Sequence, residues 1–380
     1  MSKIHQLRAG IIGSGFIGPV HIEALRRIGV QVTAICGSDR AKRVADDWAI
    51  PTVFTGHDYH SLVRCPDVDV VHITSPNRHH LDQSLAALDA GKHVVCEKPL
   101  AMNSQETDRI VQAAERSGKV FAVNYNVRFY PAVLQMRDMV QSGQLGKIIH
   151  VNGAYMQDWL LKQTDYNWRL LAQEGGELRA VGDIGTHWLD TVTFILGQKV
   201  ERLLADLSTF HTTRQRPVGE VQTFSNETPA DVVPFEVDTE DFANILLHFS
   251  DGCRGNLAVS QVAAGRKSSI RIEIYGSPRA LVGLENPDML HLGRRDQANA
   301  VAMRNCSEFN QTQGFSDYPG GHVEGFPDTF KMLYRSIYSA IVDNQLDGLF
   351  AGARAGHDEV LMCEAILRSH RSQCWAHVQA

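Results

Sequence analysis

The chain has 380 residues, more than one hydrophobic core usually supports, so two domains are expected. Hydrophobic residues make up 43% and charged residues 21%; a net charge of −6 without a basic run argues against nucleic acid or an anionic membrane as partner, and no apolar run approaches the roughly 18 residues of a bilayer span. The start, MSKIHQLRAGIIG, lacks a signal-peptide layout, and the seven cysteines include no C-x-x-C pair, so reduced thiols in the cytoplasm and no metal knuckle are expected.

Leu7–Ile12 is short, apolar and glycine-bounded, as a buried parallel strand should be. It runs into Gly13-Ser14-Gly15-Phe16-Ile17-Gly18 and then the helical pattern PVHIEALRRIG. This strand–G-x-G-x-x-G–helix context marks a dinucleotide site. Gly13 allows the tight turn, Gly15 lets backbone approach a pyrophosphate, and Gly18 lets helix and strand pack closely. Phe16 and Ile17 complete the loop facing the cofactor, and Pro19 falls in the first helical turn, where a missing N–H costs little. A second strand, Val30–Cys36, ends at Gly37-Ser38-Asp39-Arg40, where an NAD site usually carries an acidic residue for the ribose. Gly37 removes a repulsion against a 2′-phosphate, and Ser38 and Arg40 offer contacts to one, which tips NAD or NADP toward NADP; Asp39 turning inward would restore NAD.

Val68–Thr74 is another buried strand, and Ser75-Pro76-Asn77-Arg78-His79-His80 opens the next helix; Ser75, Pro76, Asn77 and His80 are candidate cofactor contacts. GKHVVCEKPLA supplies a strand ending at Glu97 and Lys98, both candidates for the cofactor. A lysine at that end points into the crevice where ligands of such sheets bind, although a surface lysine before a turn fits the same residues. Ser104–Ser117 and Val120–Tyr125 continue the alternation, so residues 1–126 read as a doubly wound α/β Rossmann domain.

Residues 127–380 form the second domain: a connecting helix over Val127–Gly146, a first strand at Ile148–Tyr155, then a loop holding Trp159, Trp168 and Arg169. Aromatic faces stack on sugar C–H groups and an Arg fork binds paired oxygens, though a Trp anchoring the loop and a surface Arg fit equally. In GGELRAVGDIGTHWLD, helical i, i+4, i+7 spacing puts Asp183, His187 and Asp190 on one face, leaving Trp188, Val192 and Ile195 to pack elsewhere. A polar stretch covers Val200–Ala230. Thr239–Phe249, Cys253–Ala263, Ser268–Tyr275 and Arg279–Leu284 then read as consecutive hairpin strands, an antiparallel sheet whose open face suits a homodimer or homotetramer contact. The Gly-rich loop at Tyr318–Asp328 holds His322, a substrate contact or a loop hydrogen-bonder, and helices follow at Thr329–Val342 and Gly356–His370, with a short strand at Cys374–Val378.

GSGFIG, SPNRHH, GKHVVCEKPLA, NYNVRFYP and GGELRAVGDIGTHWLD, in this order, resemble the glucose–fructose oxidoreductase, inositol dehydrogenase and rhizopine-catabolism family (Gfo/Idh/MocA). The resemblance implies a Rossmann domain followed by an α/β domain with a large, open, mostly antiparallel sheet. It implies a catalytic set matching Lys98, Asp183 and His187 and a cis Lys98–Pro99 bond, with a W-R pair, here Trp168 and Arg169, at the pocket rim; Arg128 and His322 are further candidate substrate contacts. The sequence departs from the family at Gly37 and in the insert ELRAVG, which resembles a branch acting on sugars or polyols.

The reaction so implied is oxidation of a secondary hydroxyl of a sugar, anhydrosugar or inositol-like polyol, with hydride passing to NAD or NADP and the proton to His187. Lys98 would stabilise charge on the oxygen and Asp183 would hold substrate or the imidazole, while Asp190 reads as a surface or structural carboxylate. Three alternatives stay open: a metal on Asp183, His187 and Asp190; a bound dinucleotide cycling without net redox; and a non-catalytic dinucleotide or sugar sensor.

Overall fold

The computed structural model describes residues 3–218, 231–283, 288–304 and 314–379; the last part of the polar stretch to Ala230, the expected strand end at Leu284, and Cys306 lie outside these. The chain divides into two units, Met1–Asn126 with Pro327–Val360, and Val127–Phe326 with Leu361–Ala380.

In the first unit, β1 (Arg8–Ile12), β2 (Gln31–Cys36), β3 (Thr52–Phe54), β4 (Val70–Ile73), β5 (His93–Cys96) and β6 (Phe121–Val123) pair in parallel. Between them run α1 (Ile17–Arg27), α2 (Arg40–Asp47), α3 (Tyr59–Arg64), α4 (His80–Asp89) and α5 (Ser104–Ser117). Every residue of β4 is buried, as expected of a strand covered on both faces. Local signals set the helix ends: the Asn103 side chain accepts the Glu106 N–H at 2.9 Å to start α5, and Gly118, at φ 62°, ends it.

The sheet order is β17-β6-β5-β4-β1-β2-β3. The edge strand β17 (Ala351–Gly352) pairs antiparallel to β6 and comes from the late part of the chain. The sequence places residues 327–360 in the second domain; the structure returns them to the first. The reason is apolar surface: Phe330, Leu333, Tyr334, Ile337 and Tyr338 of the helix at Phe326–Val342 are almost completely buried.

The second unit holds α6 (Pro131–Gln141), β7 (Ile148–Met156), α7 (Ala172–Gly175), α8 (Thr186–Leu196), β8 (Val200–Ser208), β9 (Thr213–Pro217), β10 (Val232–Glu236), β11 (Phe242–Phe249), β12 (Arg254–Ser260), β13 (Ser269–Gly276), β14 (Arg279–Gly283), β15 (Met289–Arg294) and β16 (Ala300–Met303). After α9, the helix at Phe326–Val342, and β17 comes α10 (Ala353–Ser372), which runs from the first unit's residues into the second's, where β18 (Ala376–His377) closes the chain. The nine-stranded sheet has the order β16-β15-β14-β13-β7-β12-β11-β8-β18; β12 lies parallel to β7 and the other neighbours are antiparallel, while β9 and β10 form a separate ribbon.

Alternation gives the sheet its two faces. On β11, Ala243, Ile245, Leu247 and Phe249 are buried, whereas Asn244 and Leu246 are exposed. The core residues pack with Trp188, Leu189, Val192 and Ile195 of α8. A Cβ at Gly153 of β7 would fall 2.2 Å from Trp188 Nε1, so only glycine lets α8 seat this closely. Trp188 Nε1 then donates to Arg271 O on β13 at 2.9 Å, which pins the helix carrying His187 to the sheet. Among the described residues, no helix is long and apolar enough to cross a membrane.

Candidate active site

In the first unit, the turn after β1 is shaped as a phosphate cradle. Gly13 has φ 114°, and a Cβ there would meet Thr74 Oγ1 at 2.5 Å. A Cβ on Gly18 would meet Gly13 O at 2.5 Å, while one on Gly15 would meet nothing within 4 Å. The turn is therefore closed against Thr74, which follows β4, and against itself, and open at Gly15, the side from which a pyrophosphate would approach. Ile17 begins α1, whose first turn has no side-chain cap, and Phe16 is 48% exposed beside it. These residues fit a dinucleotide.

A Cβ at Gly37, at the end of β2, would lie 2.8 Å from Ser14 Oγ, so the missing side chain is first a packing requirement. Ser38 and Arg40 are half-buried at the start of α2, and Asp39 is exposed. After β4, Ser75 Oγ donates to Gln83 Oε1 at 2.6 Å, Pro76 precedes the 3-10 turn Asn77–His79, and Asn77 is buried. His80 is fully buried with its ring nitrogens 2.9 Å from Ser75 O and from Pro99 O, tying the loop after β4 to the loop after β5.

Lys98 follows β5 in a half-buried position, and its bond to Pro99 is cis. Glu97 beside it turns inward. Its carboxylate accepts from Asn124 Nδ2 at 2.5 Å and from the Lys98 N–H at 3.2 Å, and lies 3.0 Å from His21 Nε2.

In the second unit, Asp183 and His187 do not sit on one regular helix. Val181–Gly185 is a π turn, and α8 starts only at Thr186. Such turns re-aim side chains and recur at functional sites. Asp183 lies with Arg169, whose Nε is 3.1 Å from Oδ1, and accepts from Gln261 Nε2 through Oδ2 at 2.8 Å. The Arg169 guanidinium stacks 4.4 Å over the Trp168 ring and also donates to Asn167 Oδ1 at 3.3 Å. His187 is 9% exposed on the first turn of α8, its ring 6.5 Å from that of Tyr155. Tyr155 is bonded to Ser268 Oγ at 3.1 Å, and burial with the nearby Asp183 charge raises its phenol pKa.

The turn itself is held from below by Glu240. Its buried carboxyl accepts the N–H groups of Arg179, at 2.9 and 3.0 Å, and of Val181, at 2.8 Å. Burial pushes this carboxyl up to about 7. Among the described residues, no group of three or more His, Cys, Asp and Glu is placed to hold a metal ion.

Family models match both units. One described as "Oxidoreductase family, NAD-binding Rossmann fold" covers residues 7–125, and one described as "GFO/IDH/MocA C-terminal domain" covers residues 133–282. The chain belongs to the Gfo/Idh/MocA oxidoreductase family. Over 397 residues it is 26% identical to levoglucosan dehydrogenase of Pseudarthrobacter phenanthrenivorans, with 99% of each chain covered. It is 36% identical over 154 residues to inositol 2-dehydrogenase of Salmonella typhimurium, across 39% of this chain and 46% of that one. The solved structure of levoglucosan dehydrogenase with NADH and L-sorbose matches with a TM-score of 0.87 at 26% identity, covering 98% of this chain and 99% of the other.

Within this Gfo/Idh/MocA chain, several residues expected at the ligands have protein partners of their own. Arg128, expected at the substrate, is buried with Nε 2.8 Å from Asp190 Oδ2 and its guanidinium 4.6 Å from the Phe194 ring. Asp190, 1% exposed, is the structural partner of that arginine and not a surface carboxylate. It therefore does not join Asp183 and His187 as a third group of one face. Glu97, expected at the cofactor, has its carboxylate in the buried network around His21. His322 is exposed, and its peptide oxygen accepts from Arg304 Nη2 at 2.7 Å; Arg304 also donates to Tyr318 O and Pro319 O, organising the loop from within. Gln261, Tyr155 and Glu240 were not anticipated, because each reaches the Asp183–His187 segment from a distant strand or strand end.

Proposed function

We propose that this oxidoreductase is an NAD(P)-dependent dehydrogenase oxidising a secondary hydroxyl of a sugar, anhydrosugar or cyclic polyol. The observation that carries the reading is the pairing of Asp183 with Arg169 and Gln261, one turn before a nearly buried His187, in a chain whose first unit has a phosphate-cradling turn. The residues that would hold the dinucleotide are Gly13, Gly15, Phe16, Ile17 and Gly18 at the phosphates, Ser38 and Arg40 at the ribose, and Ser75, Pro76, Asn77 and His80 beyond.

When bound, nicotinamide supplies the hydride acceptor. His187 takes the hydroxyl proton, the task for which imidazole, with an unperturbed pKa of about 6.5, is best matched. Asp183, held by Arg169 and Gln261, presents a fixed carboxylate that favours the imidazolium and accepts from a substrate hydroxyl. Trp168 offers a flat apolar face for sugar C–H groups, and Arg169 is locked against it. Lys98 enters through the family resemblance as the cation that stabilises negative charge on the reacting oxygen. The relatives named for levoglucosan and inositol support a ring polyol as substrate class.

The ribose end leaves both dinucleotides in play. The Gly37–Arg40 loop offers Ser38 and Arg40 to a 2′-phosphate, whereas the solved relative carries NADH. Assembly as a homodimer or homotetramer is assigned to the open face of the nine-stranded sheet, where Leu246 is 47% exposed. The test is reduction of NAD and of NADP, separately, against inositols, aldoses and anhydrosugars. Turnover with at least one is expected, and a tightly retained cofactor with no net reduction would instead point to a non-net-redox cycle.

A further inference from the structure

A continuous line of buried polar side chains runs through the first unit to the end of β5. Tyr338 OH lies 3.0 Å from His72 Nε2, His72 Nδ1 lies 3.0 Å from His21 Nδ1, and His21 Nε2 lies 3.0 Å from Glu97 Oε1. His21, His72 and Tyr338 are all 0% exposed. Two Nδ1 atoms facing each other must have a proton between them, one ring donating and the other accepting. Two arrangements satisfy the line. In the neutral one, Tyr338 O–H donates to His72, His72 Nδ1–H donates to His21, and His21 Nε2–H donates to Glu97. In the other, His21 holds protons on both nitrogens, and His72 changes tautomer and donates Nε2–H to the Tyr338 oxygen. They differ by one proton and require no side-chain movement.

The surroundings favour keeping that proton at the carboxylate end. Glu97 also accepts from Asn124 Nδ2 and the Lys98 N–H, which is the donor set of an ionised carboxylate, and Tyr334 OH fixes Asn124 through its Oδ1 at 3.2 Å. The described groups in contact with the two rings are Glu97 at the end of β5 and Phe330, Tyr334 and Tyr338 from α9, with Asn124 bonded to Glu97. Of the charges elsewhere on or beside these elements, Asp69 pairs with Arg8 at 3.0 Å and Asp328 with Arg27 at 2.5 Å and Lys331 at 3.7 Å, while Glu23 and Arg26 of α1 are exposed. His80 stands apart between two carbonyl oxygens.

We propose that His21 and His72 share one exchangeable proton behind Glu97 and that its charge opposes the cationic ring of oxidised nicotinamide, so that NAD+ and NADH bind with different dependences on pH. The inference rests on the dinucleotide reading above. Ligands of open α/β sheets bind off the carboxyl ends of the strands, where Glu97 and Lys98 follow β5, and NAD+ carries one more positive charge on its ring than NADH. An imidazolium at His21 disfavours the oxidised form. Rising pH removes it and strengthens NAD+ relative to NADH, and by linkage NAD+ binding expels the proton. His21 and His72 would thus be positioning residues acting through Glu97.

The test is calorimetric titration of the full chain with NAD+ and with NADH between about pH 6 and 8, in buffers of different ionisation enthalpy, to count protons. NAD+ is expected to release a fraction of a proton that NADH does not, and the affinity ratio should move about tenfold across the titration. In His21→Gln, which can still donate to Glu97 and accept from His72 but cannot become a cation, both nucleotides should bind with equal proton counts. Should that variant fail to fold, 15N-histidine spectra of the unmodified chain are expected to show His21 losing its proton with NAD+ and keeping it with NADH. Tight binding of both with equal counts, or a difference that survives in His21→Gln, overturns this inference alone; failure of either nucleotide to bind overturns the dinucleotide reading and this inference with it.

Discussion

Arg169 Nε lies 3.1 Å from Asp183 Oδ1, and the same guanidinium is braced over Trp168 and by Asn167. Gln261 completes the arrangement by donating to the other oxygen at 2.8 Å. A second carboxyl group there would face Asp183 at hydrogen-bond distance, where the two cannot both stay ionised, so Asp183 would share a proton in place of presenting a full charge. Gln261→Glu is therefore expected to cut turnover by about ten- to a hundredfold, the span of a lost charged hydrogen bond, with dinucleotide affinity unchanged. Steady-state rates beside a cofactor titration check it; turnover within about twofold of the parent would remove Asp183 from the reaction.

His187 is expected to carry the proton. His187→Asn keeps a polar side chain of similar size but cannot act as a base near neutrality, so kcat should fall by about 10²–10⁴-fold. The residual rate should climb with pH as hydroxide takes over. Cofactor affinity and melting temperature should stay at the parent values, and a variant that turns over normally while folded would return the base to another residue.

Two of the loop glycines separate folding from binding. Gly15→Ala adds a Cβ with no atom within 4 Å, so stability should hold while dinucleotide binding weakens by about tenfold or more. Gly18→Ala drives a Cβ to 2.5 Å from the Gly13 carbonyl oxygen, and the fold should lose about 1–3 kcal/mol. Thermal melts without nucleotide should distinguish the two, with only Gly18→Ala moving. Equal melts would mean that the turn relaxes and that the cradle is not rigid.

Much of the first unit was legible in the sequence because many of its elements carry their own signal, an apolar strand or a glycine turn, whereas α2, β3 and α3 were not read from it. The return of residues 327–360 was not, since the apolar face of α9 looks the same whichever core it joins. The segment around Asp183 shows the same limit. Its residues are contiguous and were found as a motif, yet helical spacing grouped Asp190 with Asp183 and His187. The π turn and the buried Arg128 partner, which no spacing rule reports, put Asp190 to another use. Gln261 and Glu240 gave no signal at all, being a polar residue after a strand and an acidic residue before one. His72 did carry a hint, as the one polar side chain in the buried strand VVHI; such a histidine needs a partner, but the sequence does not say that the partner is another histidine.

Glu240 gives a prediction about stability and pH. Its carboxyl accepts two backbone N–H groups at the start of the turn that carries Asp183, yet burial outweighs them and pushes its pKa up to about 7 from the usual 4.5. A carboxyl raised on folding binds its proton more tightly in the native chain than in the unfolded one. Stability from this group is therefore complete below about pH 4.5 and declines as pH rises toward about 7, where the native form must also ionise; the shift corresponds to about 3 kcal/mol. Glu240→Gln keeps an oxygen for the Arg179 and Val181 amides and has nothing to titrate. In urea unfolding at a series of pH values, the parent should lose stability relative to this variant across that window and run parallel to it above. Glu240→Ala should be the less stable of the two variants by about 1–3 kcal/mol at every pH, because it leaves the amides without an acceptor. A parent-minus-Gln difference that is flat from about pH 4.5 to 7 would mean that Glu240 is ionised throughout, and the turn under Asp183 would then rest on a permanent charge.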